Sequence, residues 1–239
     1  MQNNFENPVQ WSAATVSTQT ARFMSRVYGW MTLGVAMSGL VAYGLFQNTD
    51  LVSLMAQNRG TFLVLMLIQF GMVMVLTRAM ARMSSAVAGL LFFLYSAITG
   101  VIFSFIFMIY TQDSIFSMFF LTSFAFAGLS SFGFITKKDL GPVGSFCMMG
   151  LFGLIGYSLI SLFFPSMMTG VASMVAGAVG ILIFSGLTAY DTQRIKAFYR
   201  PGQEGSAEDS KLVIQGALIL YLDFINLFLS VLRVFGRRR

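Results

Sequence analysis

The stretch "ALILYLDFINLFLSVL", residues 217–232, is apolar enough to lie in a lipid bilayer, yet Asp223 stands in its middle. A charged side chain at that depth costs at least a few kcal/mol, so intramembrane acids face a bundle interior or a water-filled cavity and mark functional positions. At about 100° per residue, Gly216, Asp223, Asn226 and Ser230 fall within an arc of roughly 80° on one helix face. Leu220 and Leu227 share that face. It is a polar seam, and it belongs against other helices.

Composition sets the solvent in which the seam must be read. The chain has 239 residues, 56% hydrophobic and only 10% charged, with a mean hydropathy of +0.77. Soluble domains carry roughly 25% charged residues, so the sequence is that of an all-α integral membrane protein with several spans. Residues 1–21 are polar and lack the basic start and apolar core of a cleavable signal, so the first span is expected to direct its own insertion. The net charge of +6 comes from basic residues at span ends, where they set topology; no nucleic-acid partner is expected. A single cysteine, Cys147, excludes an intrachain disulfide, and its apolar surroundings predict packing. With no histidine, His-based metal sites, general bases and pH switches are excluded.

Each crossing needs about 20 apolar residues. On that measure spans fall near 28–46, 61–77, 86–109, 115–135, 143–163, 171–190 and 212–232, within one domain covering 22–239 behind a polar cytoplasmic tail, 1–21. Alternate ends carry Arg22/Arg26, Arg78/Arg82, Lys137/Lys138 and Arg194/Lys196/Arg200/Lys211, while the opposite ends carry Arg59, Asp50 and Asp113. The positive-inside rule then places the N-terminus in the cytoplasm. The closing "RVFGRRR" breaks the pattern: the last segment either crosses despite its arginines or enters and returns. Small residues in the fifth span (Gly150, Gly153, Gly156) and the sixth (Ala172, Ala176, Gly177, Gly180) are expected to let backbones approach.

A second acid, Asp191, lies in "FSGLTAYDTQRIK" (184–196), where the sixth span runs into basic residues. By itself it reads as an interfacial charge or as the i,i+3 partner of Arg194. Two acids on consecutive helices can instead meet and share one proton, which makes a pH sensor without histidine. Depth opposes this: if the seventh helix enters at Lys211, Asp223 lies about 18 Å along it, while Asp191 sits near the cytoplasmic end. They meet only if the seventh helix begins in the cytosol or the sixth reaches further than drawn.

These two stretches, with "ALILYLDFINLFLSVLRVFG" (217–236), "YGWMTLGVAMSGLVAY" (28–43) and "FGFITKKDLG" (132–141), resemble the Bax inhibitor-1 (transmembrane Bax-inhibitor-motif) family, and the short N-terminal tail resembles its bacterial members. The resemblance covers nearly everything after about residue 20. It implies a seven-transmembrane-helix bundle, six helices around a central C-terminal seventh, in a bacterial inner membrane. It also implies a pH-sensitive calcium leak, gated by an aspartate pair matching Asp191 and Asp223, with no cofactor beyond Ca2+ as the ion carried. An arginine latching onto that pair corresponds to Arg82, by its distance from the following "SAVAG", or to Arg78 one turn earlier. Where some members carry a glutamate in the second span, this chain has Gln69. Calcium wants six to eight oxygens; two carboxylates with Asn226 and backbone carbonyls supply a weak, incomplete cage, which suits conduction because the ion must leave.

Two other readings compete. Intramembrane aspartates also form aspartyl-protease dyads, and "YD" at 190–191 matches half of the presenilin-type signature. The other half, "GxGD", is replaced here by "YLDF", so no enzyme is expected. Bacterial relatives also serve as modulators and substrates of a membrane-bound ATP-dependent protease, recognised through an exposed N-terminal tail. Residues 1–21 are polar, as such a tail should be. On that reading the chain has no transport role.

Overall fold

Long apolar helices dominate because in a bilayer each backbone N–H and C=O must be satisfied within its own segment. The computed structural model describes residues 13–48, 50, 52–53, 57, 59–164 and 170–239. Seven long helices are found among them: α1 (Ala13–Phe46), α2 (Arg59–Arg78), α3 (Ser85–Ser104), α4 (Gln112–Ile135), α5 (Gly141–Phe163), α6 (Gly170–Lys196) and α7 (Ala207–Phe235). A 3-10 turn, Met80–Arg82, precedes α3, and a single turn, Ile106–Ile109, follows it. Six of the seven are long and apolar enough to cross a membrane, and α2 contributes the shorter apolar run Leu63–Arg78.

The ends follow local chemistry. Ser84 caps α3 by accepting from the Val87 N–H, and Ser206 caps α7 by accepting from Asp209. Asp209 answers through Oδ2, which accepts the Gly205 N–H at 2.9 Å. Proline in the first turn starts α5, where its missing N–H costs nothing.

The apolar span of α7 is 67% buried, against 11% for α5, which makes α7 the axis of the bundle. α1, α3, α4 and α6 pack against it, while α2 leans on α3 and α5 on α6 from outside. Aromatic rings key α7 into its neighbours: Tyr221 meets Phe92 and Tyr95 edge-on, and Phe224 meets Phe119 and Phe126. Cys147 is buried against Gly186.

Three sequence expectations change here. Residues 13–21 are not tail but the first turns of α1, with Thr20 buried; residues 1–12 lie outside those described. Gly153 and Gly156 have no neighbour where a Cβ would stand, so only Gly150, against Ile183, serves α5 packing. Gly177 and Gly180 do pack on α7, and Ala176 is buried while Ala172 is exposed.

The tail question also resolves. α7 is one continuous helix of 29 residues, about 43 Å long, so it crosses once and does not return. Beyond it the chain pairs with the turn before α4. Tyr110 and Arg238 form an antiparallel bridge, Thr111 N–H donates to Arg237 O at 3.1 Å, and Arg239 N–H donates to Ile109 O at 2.9 Å. The Arg237 N–H donates to Ser114 Oγ at 2.9 Å. Since Asp209 binds Arg26 at the other end, the tail arginines and the α6–α7 connection lie at opposite ends of the bundle. In sealed vesicles, cysteines introduced by Arg200→Cys and Arg239→Cys should be labelled by an impermeant maleimide from opposite faces, with buried Cys147 silent; labelling of both from one face contradicts the crossing.

Candidate functional site

α6 and α7 run antiparallel, and small residues set how closely. A Cβ on Gly216 would stand 2.8 Å from Ile195 Cγ2, and one on Gly177 would stand 2.7 Å from Val234 Cγ2; Gly180 lies directly against Ser230. This register brings Asp191, near the end of α6, beside Asp223 in the middle of α7. Their carboxyl groups face each other closely enough to interact, with the residues 6% and 5% exposed. Asp223 Oδ2 is buried with no hydrogen-bond partner among the described residues. A carboxyl–carboxyl hydrogen bond needs a proton on one partner.

The depth objection dissolves because both helices outrun their apolar cores. α6 continues to Lys196, and α7 begins at Ala207, where Asp209 Oδ2 lies 2.7 Å from Arg26 Nη2. Asp209 is nearly fully buried and Arg26 is half exposed, so this ion pair ties the start of α7 to α1. α1 itself is 34 residues long, about 50 Å, well beyond the roughly 30 Å hydrocarbon layer.

The last turns of α6 are fastened from the other side by the α4–α5 turn. Gln193 Nε2 donates to Lys138 O at 2.8 Å, and its Oε1 accepts the Leu140 N–H at 3.0 Å. Lys196 Nζ donates to Phe134 O at 2.9 Å and lies over the Phe134 ring. At Gly133, α4 touches the Ala189 backbone so closely that any Cβ would collide with it. The turn carrying Asp191 is therefore held by α4, α5 and α7 together.

A chain of hydroxyls reaches that turn from a cleft between α1 and α4. Thr192 Oγ1 donates to Thr188 O at 2.7 Å, so it accepts from Ser130 Oγ at 2.8 Å, and Ser130 in turn accepts from Tyr28 at 2.6 Å. One proton per hydroxyl fixes this direction. Tyr28 and Ser130 line a cleft of about 620 Å3, with Ser123 on its wall and Phe224, the neighbour of Asp223, at its floor. On the opposite face of α7, Ser38 donates to Ser96 O at 2.7 Å and lies 2.7 Å from Tyr221 Oη. Gln69 donates to Thr99 at 2.7 Å beside that cluster, on the α3 side of the bundle. None of these hydroxyls was marked by sequence alone: each sits singly in an apolar run and gains meaning only from its cross-helix partner.

The other sequence-named residues fall as follows. Asn226 does not turn to Asp223; its Nδ2 donates to Leu222 O at 2.7 Å, and Ser230 donates to Asn226 O at 2.7 Å, both within α7. Gly216 and Ser230 are packing contacts of α6. Arg194 Nη1 stands 3.9 Å from Asp191 Oδ1 and is half exposed, a separation and exposure at which an ion pair contributes little. Arg78 and Arg82 are both exposed, and among the described residues neither is in an ion pair. The turn bearing Arg82 does pack against α7. No group of three or more His, Cys, Asp or Glu converges among the described residues, so the acidic donor set is the two aspartates.

Comparison with known proteins gives one consistent picture. The family described as "Inhibitor of apoptosis-promoting Bax1" matches residues 20–239. An uncharacterized protein of Borreliella burgdorferi is 41% identical over 91% of this chain and 93% of its own length. Inner membrane protein YbhL of Escherichia coli strain K12 is 40% identical over 91% of this chain and 92% of its own. An uncharacterized protein of Caulobacter vibrioides, 36% identical, aligns with 97% of this chain and 95% of itself.

The Arg26–Asp209 pair generates a stability test. Arg26→Gln and Asp209→Asn should each lower stability by about 1–2 kcal/mol, read as thermal unfolding in detergent. The double variant should cost less than the sum of the singles; full additivity would mean the two side chains do not act on each other.

Proposed function

Because the chain belongs to the Bax inhibitor-1 family, we propose that it is a pH-sensitive calcium leak channel of a bacterial inner membrane, with Asp191 and Asp223 as proton sensor and ion-pathway ligands. The observation that carries this reading is the carboxyl pair buried between α6 and the axial helix α7, one of whose oxygens has no hydrogen-bond partner among the described residues. The family itself supports only a multi-pass membrane protein, and YbhL's description as an inner membrane protein supports the compartment. The positive-inside rule supports an orientation with the Arg26 end, and so the N-terminus, in the cytoplasm.

The chemistry follows from what each protonation state can bind. Two ionised carboxylates at contact repel, and burial amplifies the repulsion. They require a cation between them: Ca2+ in transit or a guanidinium. Two carboxylates are a poor calcium cage against the six to eight oxygens the ion prefers, so residence is short and the ion passes on. A proton replaces the cation with a hydrogen bond and changes how α6 sits on α7. Arg82, on the turn packed against α7, is the arginine this mechanism would use as a latch, with Arg78 its alternative; either must swing from its present exposed position. Asn226, Ser230 and Gly216 support the α6–α7 contact rather than the ion.

The competing reading, a modulator or substrate of a membrane-bound ATP-dependent protease, needs a free N-terminal tail. Residues 13–21 are built into α1 and do not serve as such a tail. In proteoliposomes, Asp223→Asn and Asp191→Asn should each flatten the pH dependence of calcium flux, while removal of residues 2–12 leaves flux unchanged. An unaltered pH profile in both aspartate variants would sink the sensor role.

A further inference from the structure

The end of the bundle that carries the tail is richer in arginine than its place in the topology predicts. Arg233, Arg237, Arg238 and Arg239 gather there, while the other basic clusters mark the opposite end. The acids at this end, Asp50 and Asp113, are exposed, and no ion pair joins either to an arginine among the described residues. Arg233 stands in the last turn of α7, where the helix dipole favours a cation. That accounts for Arg233 alone, because Arg238 lies beyond the helix.

The tail is held through its backbone N–H and C=O groups, and among the described residues its guanidinium groups meet aromatic rings but no carboxylate. Successive residues of an extended segment point to opposite sides. Arg239 lies over the Phe46 ring at 5.6 Å, and Arg238 turns the other way, past Tyr110, into a cavity of about 400 Å3. Arg233 reaches the same cavity from α7. The rest of its wall includes the apolar Phe103, Ile106 and Leu229, together with Tyr157 and the buried hydroxyl of Ser173. Ile109, at its rim, is an exposed apolar side chain of the kind that faces lipid. The cavity thus has a cationic head, an apolar wall and an apolar rim.

We propose that this cavity is a binding site for an anionic phospholipid, whose phosphate sits between Arg233 and Arg238 while an acyl chain lies along Phe103, Ile106 and Leu229. Basic pockets between transmembrane helices take anionic head groups in this way. Free phosphate satisfies the arginines but leaves the apolar wall uncovered, so the lipid is the occupant that fits both halves. Such a lipid also offsets part of the positive charge that otherwise opposes the crossing of α7.

Native mass spectrometry of the full chain in detergent tests this, with phosphatidylglycerol, phosphatidylcholine and inorganic phosphate as separate probes. Phosphatidylglycerol should be retained in preference to phosphatidylcholine. Arg238→Gln and Arg233→Gln should each weaken that retention about fivefold, and Arg239→Gln, which removes the same charge from the same tail, by less than about twofold. Arg238 is exposed on the tail, so its variant carries the test if Arg233→Gln does not fold. Equal retention of the two lipids, equal loss in Arg239→Gln, or no loss in Arg238→Gln would overturn the site. Inorganic phosphate binding as tightly as the lipid would overturn the lipid assignment.

Discussion

Placing two carboxyl groups against each other inside an apolar bundle is the constraint on which the other features depend. Neither Asp191 nor Asp223 could be buried alone without several kcal/mol of desolvation, and two ionised neighbours would add repulsion. A shared proton or a bound cation removes most of that cost, but only while α6 and α7 stay in one register. The register is held by contacts that leave no slack: Gly216 on Ile195, Gly180 on Ser230, and Gly133 on the Ala189 backbone. Gln193 then ties the end of α6 to the α4–α5 turn, and Lys196 ties it to the last turn of α4. Packing and polar chemistry here are one arrangement, because loosening either helix would expose a charge to lipid.

The same arrangement makes α7 two-faced. One face gives Asp223 to α6; the other gives Tyr221 to Ser38 on α1 and, through rings, to Phe92 and Tyr95 on α3. A shift of α7 on protonation would be felt on both faces at once. The ends limit such a shift differently. Arg26–Asp209 fixes one by an ion pair, and the Tyr110–Arg238 bridge fixes the other by backbone hydrogen bonds.

Much of the bundle was legible beforehand because a bilayer imposes its own periodicity: apolar runs of adequate length, ended by arginine and lysine, gave the spans and their order. Asp223 announced itself as a buried acid in an apolar helix, and the seam around it correctly pointed inward. Helix ends were less legible. α1 and α7 both extend far beyond their apolar cores: Asp209 finds Arg26 on the neighbouring α1, and Thr20 is satisfied within its own helix by donating to Val16 O. That extension is also why the depth arithmetic kept Asp191 and Asp223 apart. Gly153 and Asn226 show the opposite limit: residue type suggests close packing for one and an aspartate neighbour or a link between helices for the other, yet one faces open space and the other bonds to its own helix. The Tyr28–Ser130–Thr192 chain joins three helices, so no local pattern could have revealed it.

The central claim is that Asp191 and Asp223 hold one proton between them. Infrared difference spectroscopy of the protein in liposomes, following the carboxylic-acid carbonyl band as pH is changed, tests it directly. The account predicts a single titrating band from this pair, abolished in Asp191→Asn and in Asp223→Asn alike. Two independent bands, each lost in only one variant, would contradict it.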